Sequence, residues 1–250
     1  MKDGVGMARW NHYLEYVRAQ AKSPGRPPRE KRFVPGPGIT LSRQAGAGAH
    51  SVATELVPLL QARAPEDSYP WTVFDRNIVD LVLEEHNMPR HMAKFMPEDR
   101  VTEIGDTLDT LFGLHPTTWS LVRKTAETIL HLAQLGNVIV IGRGGNIITG
   151  DLSYAFHVRL VGSPERRIQH VQDYKHLGRQ AATDYVRTED LARWRYVKKY
   201  YGKSIDDPLL YHLVINTDQV GYKDAAQLIT EAVYSPGSSI GLALAGRSRI

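Results

Sequence analysis

Five short apolar, β-branched runs punctuate the chain: Gly38–Ser42 (GITLS), Trp71–Asp75 (WTVFD), Asn137–Gly142 (NVIVIG), Ala155–Gly162 (AFHVRLVG) and His212–Thr217 (HLVINT). Most are continuous rather than alternating, as in strands covered on both faces. Helical spacing fills the intervals. Val52, Leu56, Leu59 and Leu60 follow the first run, and Pro58 is expected to kink that helix or mark its end. Ile78, Val79, Val82 and Leu83 follow the second run, while Leu121, Val122, Ile129, Leu130 and Ala133 precede the third. Ser163-Pro164 has the form of an N-cap with proline at the first helical position. Ala225, Ala226, Leu228, Ile229 and Val233 make the last helical face. This alternation predicts an α/β fold, a three-layer α/β/α sandwich on a five-stranded parallel sheet.

The flanks have a different character. Residues 22–37 (KSPGRPPREKRFVPGP) hold five of the fourteen prolines and five basic residues, and read as an extended linker. Within residues 1–21, Trp10, Tyr13, Leu14 and Val17 line one face of a short helix. That helix is expected to dock on its own domain or, through residues 7–20, on a second copy in a homodimer; a membrane-surface helix is the alternative. The Gly/Ser-rich tail 235–250 is expected to be loose, which leaves 38–234 as the folded domain.

Composition narrows the chemistry. Of the 250 residues none is cysteine, so disulfides, thiolate metal sites and a cysteine nucleophile are excluded. The net charge of +4 is concentrated in residues 1–40, with eight Lys/Arg against three Asp/Glu; the remainder holds 23 against 24. A basic arm on a near-neutral body argues against a nucleic-acid partner. No apolar run reaches the roughly 18 residues of a membrane span and no signal-peptide core is present, so no membrane partner and a cytoplasmic location are expected.

In a parallel sheet the ligand lies beyond the carboxyl ends of the strands. The first run leads into Ser42-Arg43-Gln44-Ala45-Gly46-Ala47-Gly48-Ala49-His50-Ser51, whose small residues let successive N–H groups converge on an anion at a helix start. Set on the G-x-x-x-x-G-K-[ST] pattern, only Gly48 fits: Arg43 stands at the first glycine, Ala49 at the lysine and His50 at the Ser/Thr. Two other readings stay open. One is a plain tight turn; the other is a dinucleotide loop, Gly46-x-Gly48-x-x-Ser51, with Asp75 on a ribose.

Asp75 and Arg76 end the second run, where a carboxylate could orient an attacking hydroxyl, accept its proton or hold a magnesium-bound water. The competing role for Asp75 is an N-cap. Arg143, between Gly142 and Gly144, offers a guanidinium to phosphate or carboxylate, or marks an exposed turn. Asp190, Arg193 and Arg195 lie in TEDLARWRYVKKYYG, either a charged flap over a transferring phosphoryl group or a solvated helix face. Gly237-Ser238-Ser239-Ile240-Gly241 matches a nucleophile elbow literally but follows no strand, and no histidine spacing suits zinc.

In order, ITLSRQAGAGAHSVA, VFDRNIV, NVIVIGRGGNII, FHVRLVGSPERRI, DLARWRYVKKYYG and YHLVINTD resemble the cytidylate kinase-like family of P-loop kinases, from about Ile39 to Val233. The resemblance implies a nucleoside-monophosphate-kinase fold, with a helical substrate insertion near 76–135 and a mobile lid near 178–205. It places donor phosphates on Gly46, Ala47, Gly48, Ala49, His50 and Ser51, and Arg43 in the phosphate site. Asp75 and Arg76 would sit beside the acceptor, Arg143 in the glycine-flanked turn, and Asp190, Arg193 and Tyr196 in the lid pattern. Departures are Ala49 for the loop lysine, and Ile141 and Gly144 where cytidylate kinases carry aspartates.

The expected activity is transfer of the γ-phosphoryl group of ATP to a nucleotide, cytidylate-like, or another small acceptor. Asp75, Arg43 and Arg193 would act in catalysis, with Mg2+ as the implied metal and no ligands assigned to it. A nucleotide-binding regulator without turnover and a dinucleotide-dependent oxidoreductase are the alternatives.

Overall fold

The computed structural model describes residues 36–65, 68–75 and 118–235, with Ile78, Val82 and His86 between them. The N-terminal helix, the basic linker, the tail 236–250, Arg76 and most of the insertion lie outside the described residues.

The five runs become five parallel strands: β1 Gly38–Arg43, β2 Thr72–Phe74, β3 Val138–Ile141, β4 Ala155–Val161 and β5 Leu213–Asn216. Their order across the sheet is β2-β3-β1-β4-β5. β1 is therefore central, with Leu41 opposite Ile141 on one side and Val158 on the other. Helices α1 Ala49–Gln61, α2 Thr118–Leu135, α3 Gly145–Ile148, α4 Pro164–Lys175, α5 Arg179–Tyr201 and α6 Tyr222–Tyr234 cover it.

Continuous apolar strands give a core on both faces. Ile39, Leu41, Ile139, Ile141, Val158 and Leu160 pack with Val52, Leu56 and Leu60 of α1 and Ala225, Ile229 and Val233 of α6. On the other face Phe74, Val138 and Val140 pack with Ile129 and Leu132 of α2. The edge strand β5 is the exception, with Val214 and Asn216 exposed around buried Ile215.

Several expected boundaries move for local reasons. β3 starts at Val138, one residue late, because Gly136 and Asn137 both adopt positive φ (79° and 53°) and Asn137 donates to the Tyr69 carbonyl through Nδ2. Pro58 does not stop α1 where it stands; the helix runs on to Gln61, and the Pro58 carbonyl accepts from Ala62 N. Proline there removes one helical N–H bond and crowds the Thr54 carbonyl four residues back, a local cost that the buried face of Val52, Leu56 and Leu60 outweighs. Ser163 caps α4 as expected, its hydroxyl accepting from Arg166 N, with Pro164 first in the helix.

The order also decides between the phosphate and dinucleotide readings. A dinucleotide fold sets its second strand beside the first, whereas here β3 separates β2 from β1. Asp75 thus ends a strand one removed from the loop-bearing strand, and the dinucleotide alternative is withdrawn.

Candidate active site

At the carboxyl end of β1 the chain turns through Gln44–Gly48 into α1. Gly46 and Gly48 take φ of 81° and 80°, which only glycine adopts without cost. Neighbours crowd both: a Cβ on Gly46 would lie 2.3 Å from the Arg167 carbonyl oxygen, and one on Gly48 2.3 Å from the Tyr222 ring. Gly48 is the N-cap of α1, with no side chain capping the helix. The first amide of α1 seen to pair is Val52 N, bonded to Gly48 O; Ala49, His50 and Ser51 present the unpaired N–H groups that every helix start carries.

The rest of the loop is braced from outside. Ala45 N donates to Asp190 Oδ1 at 2.6 Å, and Asp190 Oδ2 accepts from Arg167 Nη1 at 2.6 Å. Arg167 also donates to the carbonyls of Ala45 and Gly162, both at 3.0 Å. His170 Nδ1 lies 2.8 Å from the Gly46 carbonyl, so that nitrogen carries the ring proton. Gln44 accepts at Oε1 from Gly162 N. The curve is thus braced by α4 and α5.

Beyond β2, Asp75 Oδ2 is 3.0 Å from His50 Nε2, and the carboxylate is shielded (17% exposed) while His50 faces solvent. The predicted acid and the loop residue at the Ser/Thr position therefore meet. Ala49, at the lysine position, is buried in the core beneath the loop and offers no cation.

Cations come instead from a cleft of about 90 Å3 lined by Arg43, Gln44, Arg159, Asp190, Arg193, Trp194, Ile205 and Asp206. Arg193 is buried, donates to Glu189 at 2.6 Å and lies 3.7 Å from Asp190. Arg143 is buried too, in a turn where Gly142, Arg143 and Gly144 all have positive φ (83°, 54° and 69°). A non-glycine residue in that region is uncommon and carries some strain. Gly142 N bonds Leu41 O, which places the turn beside the end of β1, but Arg143 does not line the cleft. Tyr196 packs edge-on to Tyr200 and Tyr201 in a cluster with Val122, Val197 and the cleft residue Ile205, and does not itself line the cleft. Sequence reasoning missed Arg159, Arg167, His170 and Tyr222. For Arg159 a signal existed: His157 and Arg159 are alternate polar residues inside an apolar strand.

At the loop itself the side-chain donors suit magnesium poorly. Among the described residues no three His, Asp or Glu side chains group around a common point. The loop position that would offer a hydroxyl is His50, a poor ligand for a hard cation, and its ring is on Asp75.

The sequence matches the cytidylate kinase-like family over residues 38–219. The chain belongs to that family. An uncharacterised protein from Eubacterium ventriosum has the same fold, with a TM-score of 0.57, 16% identity, and 79% of this chain and 98% of that one covered. The shikimate kinase of Acinetobacter baumannii, solved with shikimate, aligns at a TM-score of 0.44 and 15% identity over 81% and 95% of the two chains. No curated protein matches the sequence. This family member is kinase-like, a P-loop fold whose loop lysine is replaced by Ala49.

Proposed function

We propose that the protein is a phosphotransferase that moves the γ-phosphoryl group of ATP to a small acceptor, a nucleotide or another hydroxyl- or phosphate-bearing molecule. The observation that carries this is the β1–α1 turn: unpaired amides at the start of α1, a shielded carboxylate on Asp75 beside it, and Arg43 and Arg193 lining one cleft next to it. In-line phosphoryl transfer asks mainly for positioning and for neutralised charge on the moving oxygens. The α1 amides and helix dipole would hold donor oxygens, and the arginines would take the charge that a loop lysine would otherwise offset.

Asp75 would act on the acceptor. As its oxygen bonds the γ-phosphorus and the bridging bond to the β-phosphate breaks, the hydroxyl proton passes to the Asp75 carboxylate. His50, in contact with the other side of that carboxylate, would orient it. No step is assigned to a metal.

The test is ADP release by the full chain with ATP and a library of small acceptors, CMP included. Turnover with at least one acceptor is expected, falling about 100-fold or more in Asp75→Asn with nucleotide affinity retained. Ala49 favours a second reading, a regulator that binds nucleotide without turnover. Under it, ATP binds, no acceptor yields ADP above background, and Asp75→Asn changes nothing.

A further inference from the structure

A charged side chain inside a central parallel strand is costly unless it is paired and used. Arg159 sits in β4 between Val158 and Leu160, both fully buried, and is itself 5% exposed. Strand register sets it beside Ser42 of β1, whose hydroxyl accepts from Arg159 Nη1 at 3.0 Å. Tyr211 lies 5.7 Å from the guanidinium carbon, and its hydroxyl donates to the Ile205 carbonyl at 2.8 Å. One edge and one face of the fork are therefore clamped by the protein.

Its charge partner is of another kind. Arg159 Nη2 donates to Asp206 Oδ1 at 2.6 Å, but the Asp206 side chain is 64% exposed against 6% for Arg159. Among the described residues, the buried cation is neutralised only by a carboxylate reaching in from a surface turn. An exposed carboxylate is rehydrated at little cost when it lets go, whereas Arg159 has nowhere else to go. Both line the cleft that also holds Arg43 and Arg193, with half-exposed Trp194 on its wall. Asp190 belongs to that cleft and also accepts from Ala45 N, so the cleft abuts the phosphate-loop turn.

We propose that this cleft seats the anionic group of the acceptor, a carboxylate or a phosphate, with Arg159 as the anchor and Asp206 as the side chain that the ligand displaces. A planar fork with spare N–H groups suits either anion. That the anion belongs to the phosphoryl acceptor rests on the activity proposed above; anion binding itself does not.

Inorganic phosphate and malonate, titrated separately into the full chain at constant ionic strength and followed by calorimetry, distinguish the two sources. At least one should bind. Asp206→Asn removes the competing carboxylate and should tighten that binding about fivefold or more, whereas a merely structural ion pair would leave affinity unchanged or weaken it. Arg159→Lys should weaken it about tenfold. Should Arg159→Lys fail to fold, the surface variant Asp206→Asn still decides. Binding no tighter in Asp206→Asn, or unaltered in Arg159→Lys, or absent for both anions, overturns the assignment. Anions that bind as expected to a chain that does not bind ATP would strike the phosphotransferase reading alone and keep the cleft as an anion site.

Discussion

At the scale of single residues, the loop's two glycines make different demands. Both hold φ near 80°, so alanine at either position carries roughly 1–2 kcal/mol of backbone strain. The second cost differs. At Gly46 the obstacle is backbone, the Arg167 carbonyl oxygen, while at Gly48 it is the Tyr222 ring, which can be removed. Thermal melts should therefore show Gly46→Ala as the worse variant, and Tyr222→Leu should recover part of the loss in Gly48→Ala but none in Gly46→Ala. Equal losses, or no recovery in the double variant, would show that the ring does not set the limit at Gly48. The need for glycine here was legible, since small residues between a strand and a helix announce a curled turn. Asp75 and Arg43 were legible for a related reason, because strand ends are where parallel sheets do chemistry. Arg159 was not. An apolar run hides a charge in its middle, and its partner Asp206 lies 47 residues away in sequence.

At the scale of elements, pairing between β1 and β4 carries a pH dependence. His157 in β4 lies with Nδ1 2.9 Å from Thr40 Oγ1 of β1, 5% exposed. Burial first, and the neighbouring His212 second, push its pKa down from 6.5 to about 4, so the fold holds the neutral ring. In the unfolded chain that ring takes up a proton as pH falls through 6.5; in the folded chain it does so only near 4. The contribution is thus fully present above pH 6.5, is lost between 6.5 and about 4, and changes no further below. The whole loss is on the order of 3 kcal/mol, with about 2 kcal/mol gone by pH 5. Urea unfolding at pH 7 and pH 5 should show that difference shrink in His157→Gln; a slope that does not change would assign the effect to other groups. The five strands and helices α1, α2, α4 and α6 were readable from their patterns; ends moved where backbone exceptions intruded, as at Gly136-Asn137 and Pro58, and the short α3 was not foreseen. The bracing of the loop by Asp190 of α5 and Arg167 of α4 was beyond periodicity, because it depends on how two helices fold back on the sheet.

At the scale of the whole molecule, strand order did what no motif could. A loop with Gly46 and Gly48 suits either a dinucleotide or a triphosphate, and only the placement of β3 between β1 and β2 separates them. That placement joins the turn, Asp75 and the arginine cleft in one region built from β1, β2, β4 and α5. A ligand spanning it must stabilise the folded state as a unit, since none of these pieces exists in the unfolded chain. ATP at a hundredfold excess over its Kd should add about 2.7 kcal/mol, which for a domain of this size is a rise in melting temperature of roughly 5–10 °C. NAD should add nothing. Since the chain gathers arginines around the turn, most of that rise should persist in EDTA. A rise that appears only with Mg2+ would mean that a metal ion, and not the guanidinium groups, neutralises the bound triphosphate. Arg193→Met then provides the internal control: if arginines neutralise the donor, the EDTA-resistant part of the shift is what this variant removes.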